Sequence, residues 1–171
     1  IEENDNDFLK QMQLVTGKPF FFIANLHEDE NKNTHLPELE DYAAKNNISI
    51  IKVFAKAEGE LVDLDQEEKK EYLNLLGLEE PALNLVIRKG YEMLDLFSYF
   101  TAGPKEVRAW SVKTGSTAPE AAGKIHTDFQ KGFIKAEVIS FKDYIESGSE
   151  SGAKEQGKLR IEGKEYIVQN G

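Results

Sequence analysis

Residues 19–30 read PFFFIANLHEDE: an apolar run that stops at Asn25 and turns acidic. A short, continuous apolar run is how a strand buried on both faces reads, which is the habit of parallel sheets. Residues 48–54, ISIIKVF, form a second such run. Between them, LPELEDYAAKNN (36–47) carries Pro37 near its start and Asn46-Asn47 at its end, the signature of a short helix. Strand, helix, strand predicts a parallel pair and an α/β fold. In an open parallel sheet, ligands sit beyond the carboxyl ends of the strands. Asn25-Leu26-His27-Glu28 leaves the first strand at that rim, and AKAE (55–58) is expected to leave the second there as a loop. A side-chain amide pairs a donor with an acceptor, as adenine's N6/N7 edge requires, and a neighbouring carboxylate accepts from N–H groups. That is the chemistry of a purine pocket. A solvated polar loop is the plainer reading of the same residues.

Further along, Asp65 with Glu68 makes a capping-box start and Gly77 a stop, with Tyr72, Leu73, Leu75 and Leu76 as the buried stripe between them. Pro81 opens another helix, with Leu83, Val86, Ile87, Tyr91 and Leu94 at helical spacing. After SYFTAGPKE (98–106) the texture changes. EVRAWSV (106–112), GFIKAEVIS (132–140) and KEYIVQ (164–169) read as strands; APEAAGKI (118–125), FKDYIESG (141–148) and GAKEQGK (152–158) read as short helices. Strands around small helices without a βαβ repeat predict a compact α+β unit. Charge divides at the same place. Residues 1–96 hold 10 Lys/Arg against 21 Asp/Glu, net −11, while residues 97–171 hold 11 against 10, net +1. Two units are therefore expected, 1–96 and 97–171.

The 171 residues include no cysteine, which excludes a disulfide framework and thiolate metal sites. His27, His35 and His126 have no partner at helical ligand spacing, and HEDENKN (27–33) lacks the glycine and final Glu of a calcium loop, so no metal site is expected. No apolar run reaches spanning length, so no membrane partner is expected, and the opening IEENDNDFLK is too acidic for a signal peptide; the expected compartment is the cytoplasm. GAKEQGKL (152–159) has the glycine and lysine spacing of a phosphate loop. However, Leu159 stands where Ser/Thr would hold Mg²⁺, and its middle favours helix, so the match is a coincidence. Lys124, His126, Lys131 and Lys135 cluster with Phe129 and Phe133. Phe129 is expected to pack under the HTDF turn and Phe133 against the core, leaving Lys124, Lys131 and Lys135 as candidate RNA or ribosome contacts.

SYFTAGPKEVRAW (98–110), AGKIHTDFQKGFIKAEVI (122–139) and GKLRIEGKEYIVQNG (157–171) resemble the YchF/Obg-like ATPase family, and the likeness runs from about Lys18 onward. EVRAWSVKTGSTAPEAAGKIHTDFQKGFI resembles its TGS domain, a ubiquitin-like β-grasp unit. The resemblance implies that residues 1–96 are the C-terminal part of a P-loop nucleotide-binding domain. In that family the Asn-Lys-x-Asp motif of GTPases becomes Asn-x-x-Glu, here Asn25 to Glu28. It thus implies a base site of Asn25, Leu26, Glu28, Ala55 and Lys56, with Phe54 departing from the Ser of the common Ser-Ala-Lys loop. ATP is the implied nucleotide, with GTP as the alternative. Ribosome or RNA is the implied partner of the TGS unit, and DNA is not expected. The family's P-loop, switches and Mg²⁺ ligands would lie upstream of Ile1, so this chain alone is expected to be inactive. A TGS-type binding module without nucleotide activity is the rival reading.

Overall fold

A computed structural model of the protein describes residues 8–9, 11–61, 64–103 and 105–171. The chain divides into two compact units, Ile1–Met93 and Leu94–Gly171.

In the first unit, β1 (Phe22–Asn25) and β2 (Ile50–Val53) pair in parallel, Phe22 opposite Ile50 and Asn25 opposite Val53. The crossover helix α1 (Leu36–Asn46) has Pro37 in its first turn and ends on Asn47 in the left-handed conformation (φ 55°). The Ile48 N–H is taken by the Ala43 carbonyl (2.9 Å) in closing α1, and the β1–β2 ladder opens on Phe22 N–H to Ser49 C=O (2.9 Å), so β1 is shorter than the apolar run from Pro19. The strand is not buried on both faces as expected: Ala24 is buried, but Ile23 is 51% exposed. Three helices follow: α2 (Ala55–Glu60), α3 (Gln66–Leu75) and α4 (Ala82–Met93). The capping box of α3 forms as expected, with Asp65 accepting from Glu67 and Glu68 N–H (both 2.9 Å) and Glu68 accepting from Asp65 N–H (3.1 Å). Leu73 is the buried residue of that helix; Leu75, expected in the stripe, is 83% exposed.

The inward face of α4 also differs from the expected stripe. Ala82, Leu85 and Val86 pack with Phe21 on Ile51 and Val53, while Leu83, Ile87 and Leu94 are exposed. Helical spacing defines two apolar stripes on this helix. The choice between them falls to Ala82, whose small side chain meets the two buried β2 residues.

In the second unit, β3 (Leu96–Ala102) and β4 (Val107–Lys113) form an antiparallel hairpin, Leu96 opposite Lys113. Its buried side carries Phe97 and Val112, which pack with Ala121 of α5 (Ala118–Ile125) and with Tyr99 and Val168; Val112 is 1% exposed. The Tyr99 hydroxyl donates to the Ala121 carbonyl (2.8 Å), which gives the polar end of this packed ring a partner. After α6 (Thr127–Lys131), strand β5 (Ala136–Val138) pairs antiparallel with β6 (Arg160–Glu162), and α7 (Phe141–Ser147) and α8 (Glu150–Glu155) lie between them in sequence.

Three expectations change here. β3 was not foreseen as a strand. GFIKAEVIS contributes only three strand residues. KEYIVQ makes a single bridge, Ile167 to Thr117, flanked by Ala118 N–H to Tyr166 C=O (2.8 Å) and Val168 N–H to Ser116 C=O (3.0 Å). The ladder cannot continue, because α5 starts at Ala118 and turns its backbone groups inward. The glycine-rich GAKEQGK lies largely in α8, as expected. Its Gly152 has a packing reason: a Cβ there would press on the Ser147 carbonyl.

Candidate functional site

At the carboxyl ends of β1 and β2 the two polar segments meet. The Leu26 N–H extends the ladder to the Val53 carbonyl (2.7 Å), and the Ala55 N–H donates to Asn25 Oδ1 (3.2 Å). AKAE is not a loop, as the sequence suggested, but the first turn of α2, with Phe54 at its N-cap. Ala55 and Lys56 therefore sit at the start of a helix, both exposed. The free N–H groups of a first helical turn need partners; Asn25 supplies one and Glu58 others. Glu58 Oε1 accepts from Phe54 N–H (3.3 Å), and its Oε2 accepts from Ala82 N–H at the start of α4 (2.7 Å).

The geometry adds a partner to Asn25. Its oxygen accepts from the Ala55 N–H, and its two amide hydrogens are not used by that bond. A second lone pair remains on that oxygen, so the amide keeps both a donor and an acceptor for a ligand edge.

Residues 26–33 are a fastened loop. Asn33 donates through Nδ2 to the His27 carbonyl (2.8 Å) and accepts the His27 N–H on Oδ1 (2.9 Å). The Asp29 N–H donates to His27 Nδ1 (2.9 Å), and the Asn31 N–H donates to Asp29 Oδ1 (3.1 Å). Glu28 stands exposed inside this frame, and half-buried Leu26 lies beside it. Tyr72 of α3 is near enough to sense the carboxylate. Burial raises its pKa, and the negative charges of Glu28 and Glu60 raise it further, so the phenol is neutral at physiological pH.

In the second unit, Lys124 near the end of α5, Lys131 at the end of α6 and Lys135 ahead of β5 are all exposed. Phe133 is half-buried, as expected. Phe129 is not packed under its turn: it is 55% exposed and leans on the His126 ring at 5.9 Å. His126 instead caps α6, its Nδ1 accepting from Asp128 N–H (3.2 Å). Among the described residues no group of three or more His, Cys, Asp or Glu could hold a metal ion, and no helix is long and apolar enough to cross a membrane.

Two residues of this frame escaped the sequence reading. Asn33 left no signal beyond its amide. Glu58 left one: a carboxylate four residues past an N-cap can reach back to it, but only if AKAE is read as helix.

Residues 96–171 match the YchF-GTPase_C family model, described as a protein of unknown function, DUF933. A ribosome-binding ATPase YchF from Haemophilus influenzae is 52% identical over 173 residues, covering all of this chain and 47% of that protein. This chain belongs to the YchF family. The likeness covers the C-terminal part of the YchF relatives. The Bacillus subtilis ribosome-binding ATPase YchF is 46% identical over 99% of the chain, and again 47% of the relative is covered. The chain thus spans about half the length of the curated YchF proteins it matches. The structure of the Schizosaccharomyces pombe YchF GTPase superposes with a TM-score of 0.82 at 30% identity, covering all of this chain and 46% of that one.

Proposed function

We propose that the first unit is the C-terminal part of a P-loop nucleotide-binding domain and carries its base-recognition site, selecting ATP over GTP. Asn25, Leu26 and Glu28 on one side and Ala55 and Lys56 on the other contact the purine. The observation that carries this reading is the Ala55 N–H to Asn25 Oδ1 bond, which joins both segments at the ligand-binding end of a parallel pair. Guanine offers N1–H and N2–H donors that an aspartate accepts together. Adenine has an acceptor at N1 and nothing at C2, so that contact has no purpose. Leu26 covers the ring in place of a lysine stem, and Glu28 is one methylene too long to sit where the aspartate would.

The second unit, in this proposal, is a TGS-type β-grasp that binds the ribosome or its RNA. Its support is the β3–β4 hairpin packed on α5, the exposed Lys124, Lys131 and Lys135, and the naming of the bacterial relatives as ribosome-binding ATPases. The GTPase name of the S. pombe relative keeps GTP as the alternative nucleotide. The described residues offer no cluster that fits Mg²⁺, and no step of phosphate cleavage is assigned to them.

The test is a specificity swap in a full-length protein bearing this chain together with a phosphate-binding loop. Leu26→Lys with Glu28→Asp should shift the ATP:GTP affinity ratio toward GTP by about tenfold or more, because a site built to bond a group strongly rejects analogues that lack it. An unchanged ratio would return residues 25–28 to the status of a surface loop.

A further inference from the structure

We propose that Glu58 is a positioning residue of the base site, holding the Phe54–Lys56 turn in the place from which Ala55 orients Asn25. This rests on the base-site reading above and names the part that keeps the site in shape. Its carboxylate bridges two backbone donors that belong to different elements and that the helix ladders leave without partners. Oε1 accepts from Phe54 N–H (3.3 Å), at the N-cap of α2, and Oε2 accepts from Ala82 N–H (2.7 Å), at the start of α4. Both bonds are partly buried, where a charged acceptor binds an amide more firmly than at the surface. The negative charge also lies at the positive end of α4, a favourable place for it.

The consequence passes along the chain by one peptide. Phe54 is followed by Ala55, and the Ala55 N–H is the group that holds Asn25 Oδ1 at 3.2 Å. That bond sets the orientation of the amide. If the turn drifts, Asn25 is free to rotate and offers its oxygen as often as its hydrogens, and a purine N7 then loses its fixed donor. α4 is packed on Ile51 and Val53 through Ala82, so the Ala82 anchor is itself rigid. Glu58 thus ties the reading turn to the core of the unit.

The experiment uses the full-length protein bearing this chain and compares affinity for ATP with affinity for inorganic tripolyphosphate, which has no base. Glu58→Gln keeps one acceptor and puts an NH₂ donor against the other amide. It should weaken ATP binding about tenfold while leaving tripolyphosphate unchanged. Glu58→Asp keeps the charge, reaches one amide only, gives an intermediate ratio, and supplies the answer if Glu58→Gln does not fold. Ala43→Gly, a buried site on α1 remote from the turn, lowers the melting temperature without moving the ratio, which separates positioning from stability. An unchanged ratio in both Glu58 variants, with Asn25→Ala lowering it, overturns the role given to Glu58 alone. An unchanged ratio in Asn25→Ala removes the base site itself and the proposal with it.

Discussion

Asn25 Oδ1 accepts from the Ala55 N–H, a bond that orients the amide, and both purines carry an acceptor at N7. On the proposed base site its amide hydrogens donate to the N7 that adenine and guanine share, and Leu26 and Glu28 add to the choice between them. That division was only half legible in the sequence. The residue types at 25–28 announced a polar rim, but which end of an amide faces outward is set by a neighbour 30 positions away, which no local pattern contains. Gly152 is a case of the opposite kind. Its spacing mimics a phosphate loop, yet its neighbours favour helix, and helix it is. The glycine answers to the Ser147 carbonyl beside it, not to an anion.

At the scale of elements, what was legible is what local chemistry fixes. Pro37 and Asn47 delimited α1, and Asp65 with Glu68 delimited the start of α3. What was missed depends on partners. β3 carries aromatic residues on both faces (Phe97 and Tyr99 on one, Phe100 on the other), so its alternation is blurred until β4 is laid against it. Tyr166–Val168 has strand composition but meets a segment that turns into α5 after Thr117.

That same junction carries a pH prediction. Glu120 accepts from the Thr117 N–H (2.7 Å) and hydroxyl (3.0 Å), and these bonds hold its carboxyl below its ordinary value. The Ser140 hydroxyl, then Lys158, do the same for Asp143. Groups with depressed pKa values bind protons more weakly when folded, so their stabilisation is present above the ordinary carboxylate range and is lost as pH falls through the folded values. Trp110, the sole tryptophan, reports on this unit by fluorescence. Its melting temperature should fall as pH drops below about 4. Glu120→Gln, an acceptor that does not titrate, should flatten part of that slope; an identical slope would remove Glu120 as a source.

For the whole chain, the charge division decides which unit can meet a polyanion. The first is strongly acidic and the second nearly neutral with local lysines. If Lys124 and Lys131 face RNA, Lys124→Glu with Lys131→Glu should weaken ribosome co-sedimentation at low salt. The difference should shrink as salt rises, because each phosphate contact releases counterions. Melting should barely change, since exposed lysines contribute little to stability. Unchanged co-sedimentation at low salt would discard the patch.

The chain closes its contacts over very different distances. The β3–β4 hairpin pairs Ala102 with Val107, close by in sequence, while the Thr117–Ile167 bridge must gather a long intervening stretch that includes α5 to α8. Closing a long loop loses more chain entropy before any contact rewards it, so such contacts form late. The second unit should therefore assemble from its hairpin outward. In pulse-labelled hydrogen exchange during refolding, the Thr114 amide, bonded to the Asp95 carbonyl, should gain protection before the Val168 amide, bonded to that of Ser116. Simultaneous protection would mean the hairpin has no life of its own, and that the C-terminal stretch around Ile167 is the clasp without which nothing before it holds.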